Sequence, residues 1–256
     1  DGLEEEPCPD VIVGSTPHPF AAWAAERLAS RYEVPFILEV RDLWPQNIVE
    51  MGGLSERHPL VWVMSGIERY LYRRSDKIVS AIPISRLALP RAVKYMSERG
   101  ATPGKIIWLP NGVDFGMIPR PCVVNSDPTP FTFLYAGAHS LYGGLDQVLD
   151  AAGILREDGW SDRVKIRLIG DGPKKNSLRE AAVRRKLHLV SFEPPVPKCQ
   201  IYGILQQADA CLMVYNRAPI CRWGISPNKL FDYMAAARPV LYALGREYSP
   251  VEIAGA

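Results

Sequence analysis

Three ionic side chains lie close together late in the chain: Arg222, Lys229 and Asp232. They frame the stretch Gly224-Ile225-Ser226-Pro227-Asn228-Lys229-Leu230-Phe231-Asp232-Tyr233-Met234, which runs on through Ala235-Ala236-Ala237-Arg238-Pro239. Ser226 suits an N-cap, and Pro227 the first helical position, where a missing N–H is no loss. Leu230, Phe231, Met234 and Ala237 recur at helical spacing and predict a buried stripe. Lys229 and Asp232, three residues apart, share a different face. Arg238-Pro239 ends the helix, and Val240–Leu244 reads as a strand.

A capped helix start presents unpaired N–H groups and the positive end of the helix dipole, so it attracts phosphate. The dipole alone contributes roughly 0.3–1 kcal/mol, so a diphosphate needs cations as well. Arg222 and Lys229 are placed to supply them, and Asp232, one turn further in, can accept from ribose hydroxyls. Together these groups suit a nucleoside diphosphate. The competing reading is an ordinary amphipathic helix with a surface Lys–Asp pair.

The elements that must position these groups alternate in type. In the first part, Val11–Gly14, Pro35–Val40, Lys77–Ile82 and Lys105–Leu109 read as strands. Helical patterns separate them over Phe20–Arg31, Pro59–Arg73 and Ser85–Arg99. Short strands with few polar residues, separated by helices, indicate parallel βαβ units buried on both faces. From 118 to 130 the prolines Pro119, Pro121, Pro128 and Pro130 interrupt any periodicity, which reads as a linker. The alternation then restarts with strands at Phe131–Ala136, Val164–Ile169, Leu189–Phe192 and Ala210–Tyr215, and helices at Gly144–Glu157, Lys174–Lys186 and Lys198–Gln207. The expected fold class is α/β, with two open sheets over 1–117 and 131–256 and a hinge between them.

Ligands of open α/β sheets bind beyond the carboxyl ends of the strands. The loops expected there include Gly14-Ser15-Thr16-Pro17-His18, Val40-Arg41-Asp42-Leu43-Trp44-Pro45, Gly137-Ala138-His139 and Gly170-Asp171-Gly172-Pro173. Glycine lets backbone amides come close to a ligand, although each loop is also read as a simple tight turn. Neither glycine loop fits G-x-G-x-x-G and no Walker A sequence occurs, which speaks against dinucleotide and P-loop NTPase readings. Arg41-Asp42 is equally an ion pair. His58 and His188 read as structural or surface residues. Arg69-Tyr70-Leu71-Tyr72-Arg73-Arg74 reads first as a solvated face with snorkelling arginines and second as a contact for anionic lipid.

The totals bound these readings. A chain of 256 residues allows one or two domains with ample core. A formal net charge of +2 gives no support for nucleic-acid binding. The five cysteines show no CxxC pair and no matching His spacing, which argues against zinc and for a reducing compartment. No apolar run approaches about 18 residues, and no signal peptide opens the chain. The chain starts as if a sheet had already begun and stops near a helix, as an internal fragment of a longer protein would.

The ordered motifs resemble the family 4 glycosyltransferases of the GT-B fold, which implies two Rossmann-like domains, both incomplete, facing across a cleft. The motifs are Val40-Arg41-Asp42-Leu43-Trp44-Pro45, Pro110-Asn111-Gly112-Val113-Asp114, Tyr135-Ala136-Gly137 leading to Gly143-Gly144-Leu145, Leu168-Ile169-Gly170-Asp171-Gly172-Pro173, Pro195-Val196-Pro197, and Pro227-Asn228-Lys229-Leu230-Phe231-Asp232-Tyr233-Met234-Ala235-Ala236. Within that family the chain is similar to the bacterial N-acetyl-L-fucosamine transferases of surface-polysaccharide synthesis. The resemblance implies retaining, metal-independent transfer from a nucleoside-diphosphate sugar to a lipid-linked saccharide, with no cofactor, in the cytoplasm at the inner membrane face. It implies a donor diphosphate at Gly137, Arg222, Ser226, Asn228 and Lys229, and a nucleoside at Gly170, Gly172, Val196 and Asp232. Arg41 and Asp42 would touch sugar or acceptor, and with Asp232 form the catalytic set; His18 is a further candidate base. Typical members carry two glutamates with seven residues between them, where this chain has Gly224 and Asp232. Ala237 stands where a glycine is usual, and the family's diphosphate-binding Arg/Lys pair would fall near His139 and Tyr142. A sugar-nucleotide epimerase on the same fold and a non-catalytic nucleotide-sugar binder are the alternatives.

Overall fold

The computed structural model describes residues 8–51, 53–82, 89–119, 130–216, 219–223 and 226–243. The expected helix start at Ser85, most of the linker (120–129), Gly224 and Leu244 lie outside the described residues. The chain divides into two compact units. The first holds the described residues up to Asn111 together with Pro219–Trp223 and Ser226; the second runs from Gly112 to Asn216 and resumes at Pro227.

In the first unit the elements are β1 (Ile12–Ser15), α1 (Pro19–Tyr32), β2 (Phe36–Val40), α2 (Gln46–Glu50), α3 (Pro59–Arg74), β3 (Lys77–Ser80), α4 (Leu89–Glu98) and β4 (Ile106–Trp108). The strands form one parallel sheet in the order β1-β2-β3-β4. Phe36, Leu38 and Val40 of β2 are all buried, joined by Ile78 of β3, Ala22 and Ala29 of α1 and Leu71 of α3. Burying each large aliphatic side chain contributes about 1.5–3 kcal/mol. Proline opens both α1 and α3, where its fixed φ fits and its lost N–H costs nothing. His58 is the N-cap of α3, its Nδ1 accepting from the Leu60 amide at 3.2 Å.

Buried charge in this unit is paired. Glu26 on α1 accepts from Tyr70 at 2.7 Å and Arg74 at 3.0 Å, both on α3. Burial pushes its carboxyl up, but the bonds from Tyr70, Arg74 and Ser30 outweigh this and hold it below the usual range. Two members of the expected lipid-contact patch are thus engaged in packing α3 on α1. The short α2 lacks any periodic signal and is absent from the expected elements. A single 3₁₀ turn at Pro219–Trp223 returns to this unit: Arg222 Nη2 donates to Glu50 Oε1 at 2.5 Å, and the Trp223 ring meets Tyr95 edge-on at 5.0 Å.

In the second unit the order is β5 (Phe131–Ala136), α5 (Leu145–Glu157), β6 (Val164–Ile169), α6 (Lys175–Arg184), β7 (Val190–Glu193), α7 (Lys198–Leu205), β8 (Ala210–Val214), α8 (Asn228–Ala235) and β9 (Val240–Ala243). Its parallel sheet has the order β7-β6-β5-β8-β9, so the chain winds outward from β5 in one direction and then in the other. The switch point therefore lies between β5 and β8, where a ligand crevice is expected. The core runs along Leu145, Leu149, Leu168, Leu178 and Leu212.

Two expectations for α8 are corrected. Ser226 is not its cap: the Ser226 hydroxyl and carbonyl accept from Asn111 Nδ2 at 3.0 and 2.9 Å, and the extended Pro227 caps without a side-chain bond. The buried stripe is Leu230, Tyr233 and Ala236, whereas Met234 and Ala237 are exposed. Choosing the large aromatic Tyr233 as the inward residue rotates the stripe away from the purely aliphatic reading.

Ala237 closes the helix with φ +54°, a left-handed conformation in which Cβ crowds the carbonyl at a cost of roughly 1–2 kcal/mol. Ala237→Gly relieves this and loses part of the gain to unfolded-chain entropy. It is expected to stabilise the protein by roughly 0.5–1 kcal/mol, seen as a higher urea midpoint with an unchanged slope.

Candidate functional site

The strands part at the switch point. Along β5, six residues pair with β6, but only Phe133 and Leu134 pair with β8. Ala136, beyond that ladder, would leave a buried peptide group without a partner. Tyr233 of α8 supplies one: its hydroxyl accepts from the Ala136 amide at 2.9 Å and donates to the Ala136 carbonyl at 3.3 Å. The inward face of α8 is thereby fixed to the carboxyl end of β5. Burial pushes the Tyr233 phenol far up, so it remains a donor at all ordinary pH values.

Beyond this seam lies a cavity of about 570 Å³, lined among others by Gly137, Gly170, Val196, Asn228, Lys229 and Asp232. Two glycine loops form one wall. A Cβ on Gly170 would lie 2.0 Å from the Gly137 carbonyl oxygen, and one on Gly172 would lie 2.7 Å from the His139 carbonyl oxygen. All three glycines have positive φ, and the His139 amide donates to the Asp171 carbonyl at 2.8 Å. The glycines therefore let the two loops touch. His139 is buried beneath them between Tyr135 and Phe192, and burial, with Lys175 and Lys229 nearby, holds its imidazole below the usual range.

Lys229 carries the cavity's distinctive charge. Its Nζ donates to the Tyr135 hydroxyl at 2.8 Å and sits over the rings of Tyr135 and Tyr215, 4.3 and 5.0 Å from their centroids. Gly137 makes room for it, since a Cβ there would lie 3.3 Å from Nζ. Among the described residues no carboxylate forms an ion pair with it. Aromatic faces offset about 0.5–2 kcal/mol of the cost of drying an ammonium, well short of the several kcal/mol that burial costs. Burial accordingly lowers its pKa to about 8. Asn228 and Lys229, the first residues of α8, whose amides have no intrahelical acceptor, line the same cavity.

Asp232 faces Lys229 along the helix and is held from α7. Lys198 Nζ lies 2.5 Å from its Oδ1, and the Tyr202 hydroxyl donates to the same oxygen at 2.9 Å. Ile201 and Leu205 of α7 with Val196 give the cavity an apolar wall. Among the described residues, no group of three His, Cys, Asp or Glu side chains gathers as a metal site.

Of the sequence-predicted residues, the structure brings Gly137, Gly170, Val196, Asn228, Lys229 and Asp232 together in one cavity. Gly172 does not line it and serves the loop–loop contact. Arg222 and Ser226 belong to the first unit, the one bound to Glu50 and the other to Asn111. Arg41 and Asp42 also belong to the first unit. There the buried Thr16 hydroxyl accepts from both their amides, at 3.0 and 3.3 Å, and donates to the Asp42 carbonyl. Arg41 is exposed, and the Asp42 carboxylate accepts from Asn47 at 3.0 Å; burial nonetheless pushes that carboxyl up. Tyr135, Lys198, Tyr202 and Tyr233 were not foreseen. The one available signal was the i, i+4 spacing of Lys198 and Tyr202, which puts both on one face of α7.

Residues 2–112 match the family described as Glycosyl transferase 4-like domain, and residues 130–246 the family described as Glycosyl transferases group 1. No curated protein sequence matches the chain significantly. Among solved structures, HepE from Anabaena in complex with UDP is similar with a TM-score of 0.65 and 14% identity, over 93% of this chain and 60% of HepE. Sucrose-phosphate synthase from Thermosynechococcus elongatus is similar with a TM-score of 0.66 and 13% identity, over 90% of this chain and 55% of the synthase. WaaG, a glycosyltransferase involved in lipopolysaccharide biosynthesis, is similar with a TM-score of 0.64 and 14% identity, over 92% of this chain and 66% of WaaG. The chain thus spans less than two thirds of the length of each. At these identities the likeness shows the fold.

Lys229 gives the ligand-free protein a pH signature. Its folded pKa of about 8 lies below the ordinary lysine value of 10.5, so between these values the unfolded chain binds more protons. Stability should therefore rise as pH increases from about 8 to about 10.5, by up to about 1.4 kcal/mol per unit. Urea titrations across that window should show the rise in the wild type and its loss in Lys229→Met. Gly170→Ala, whose Cβ would collide with backbone, should cost roughly 1–3 kcal/mol or more in the same assay.

Proposed function

Since the chain belongs to the glycosyltransferases of the GT-B fold, we propose that its second unit holds the nucleoside diphosphate of a sugar donor. The reaction we assign to the whole protein is metal-independent transfer, with retention, of that sugar to a lipid-linked saccharide in surface-polysaccharide synthesis. The observation that carries the donor site is Lys229: an ammonium with no carboxylate partner among the described residues, in the first turn of α8 and lining the same cavity as Asp232. HepE, of the same fold, was also solved with UDP-glucose, which supports a nucleotide sugar as the donor.

In this reading the diphosphate lies against Lys229 and the free amides of Asn228 and Lys229, where ammonium and helix dipole act on the same charge. Gly137 brings backbone alongside it. The ribose meets Asp232, and the base rests on the apolar wall of Val196, Ile201 and Leu205 under Gly170. Departure of the diphosphate from the anomeric carbon leaves an oxocarbenium-like sugar, and preorganised positive charge at the leaving group lowers that barrier. The acceptor side falls to the first unit, with Arg41 and Asp42 as its polar contacts. Among the described residues no helix is long and apolar enough to cross a membrane.

Calorimetry with UDP-glucose tests the donor site. Wild-type protein should bind, and Lys229→Met should weaken binding by about 10–100-fold, the worth of a charge-assisted hydrogen bond of about 1.5–3 kcal/mol. A bound diphosphate favours the protonated amine, so affinity should be constant below about pH 8 and fall as pH rises through it, towards tenfold per unit. Lys229→Arg, charged throughout, should bind without that fall. Equal affinities for wild type and Lys229→Met would reject the site.

A further inference from the structure

The Asp232 carboxylate is used on one side only. Lys198 Nζ at 2.5 Å and the Tyr202 hydroxyl at 2.9 Å both donate to Oδ1, while Oδ2 accepts no bond among the described residues. The side chain is 15% exposed and lines the cavity together with Lys198. Tyr202 is fully buried, and the Lys198 ammonium lies 5.3 Å from the centroid of its ring, so each donor is braced by the other. An aspartate held by a single donor can swing about its terminal torsion, which is broad. Two donors converging on one oxygen from the same face of α7 remove that freedom and leave Oδ2 in a defined direction.

We propose that Lys198 and Tyr202 are positioning residues that turn Asp232 into a one-sided acceptor for a ribose hydroxyl, and so set a preference for ribonucleotides over their deoxy analogues. The inference rests on the nucleoside-diphosphate reading of the cavity. A site built around a hydrogen bond to a hydroxyl rejects the analogue lacking it, because its buried acceptor is left unpaired. That rejection requires the acceptor to be fixed; a mobile carboxylate turns to solvent instead. Both donors keep their protons. Burial works against the Lys198 ammonium, but its bond to Asp232 and the nearby negative charge raise its pKa overall. Burial and the Asp232 bond likewise push the Tyr202 phenol up.

The test compares the affinity of UDP with those of its 2′-deoxy and 3′-deoxy analogues by calorimetry. Wild type should favour UDP over at least one analogue by about tenfold or more. Lys198→Met and Tyr202→Phe should each shrink that ratio to within about threefold, while Lys198→Arg, which still donates, should keep it. The Lys198 side chain is 54% exposed, so its replacement leaves the core intact, and thermal melts check Tyr202→Phe. Full discrimination in both Lys198→Met and Tyr202→Phe would overturn the inference, as would a wild type that binds UDP and both analogues equally. A wild type that binds no UDP would instead overturn the nucleotide reading beneath it.

Discussion

Tyr233 occupies the place where a strand would have been. The ladder between β5 and β8 ends at Leu134, two residues short of the end of β5, and a peptide group buried there must find a partner or cost about 1–3 kcal/mol. A phenol that both accepts from and donates to Ala136 resolves this with one side chain. The consequence is geometric. Because the inward residue of α8 is fixed to a strand end, its outward neighbours Lys229 and Asp232 acquire defined positions over the cavity. The glycine loops then follow from the same edge, Gly137 being the residue after Ala136 and Gly170 packed on its carbonyl.

Lys229 shows how far this framework tolerates imbalance. Acids elsewhere in the protein are matched, the buried Glu26 by Arg74 and Tyr70, and the half-buried Glu193 by two bonds from Arg167 at 2.6 and 2.7 Å. Among the described residues Lys229 has a phenol and two ring faces. A charge placed in that way is poorly solvated at rest and is better satisfied by an anion that comes from outside. Polar groups left short of partners concentrate where function does, since stability is given up there.

Much of the framework was legible from local pattern. β5 and β6 appear with the expected bounds because each sets apolar residues at alternate positions and is closed by glycine, a signal that needs no tertiary information. The glycine loops, Lys229 and Asp232 were legible for the same reason, as motif chemistry tied to the ends of recognisable elements. What escaped depends on residues distant in sequence. Ser226 has the right chemistry for a cap, yet Asn111 takes its hydroxyl; Arg222 has the right charge for a phosphate, yet Glu50 takes its guanidinium. Lys198 and Tyr202 bind Asp232 across separations of 34 and 30 residues, on another helix, which no spacing rule within α7 discloses. α2 is too short to establish a period.

The first unit is not contiguous along the chain. Glu50 meets Arg222 across a separation of 172 residues, and Trp223 covers Tyr95 from the same turn. During translation, domains generally fold in order from the amino end as they emerge from the ribosome. Here the four early strands can pair, but the turn that meets Glu50 and Tyr95 is not made until five strands' worth of the second unit's chain, less its last, has been synthesised. The earlier-made unit is therefore the one finished later, and a nascent chain halted between the two units would leave an unmatched carboxylate and an aromatic face open to its surroundings.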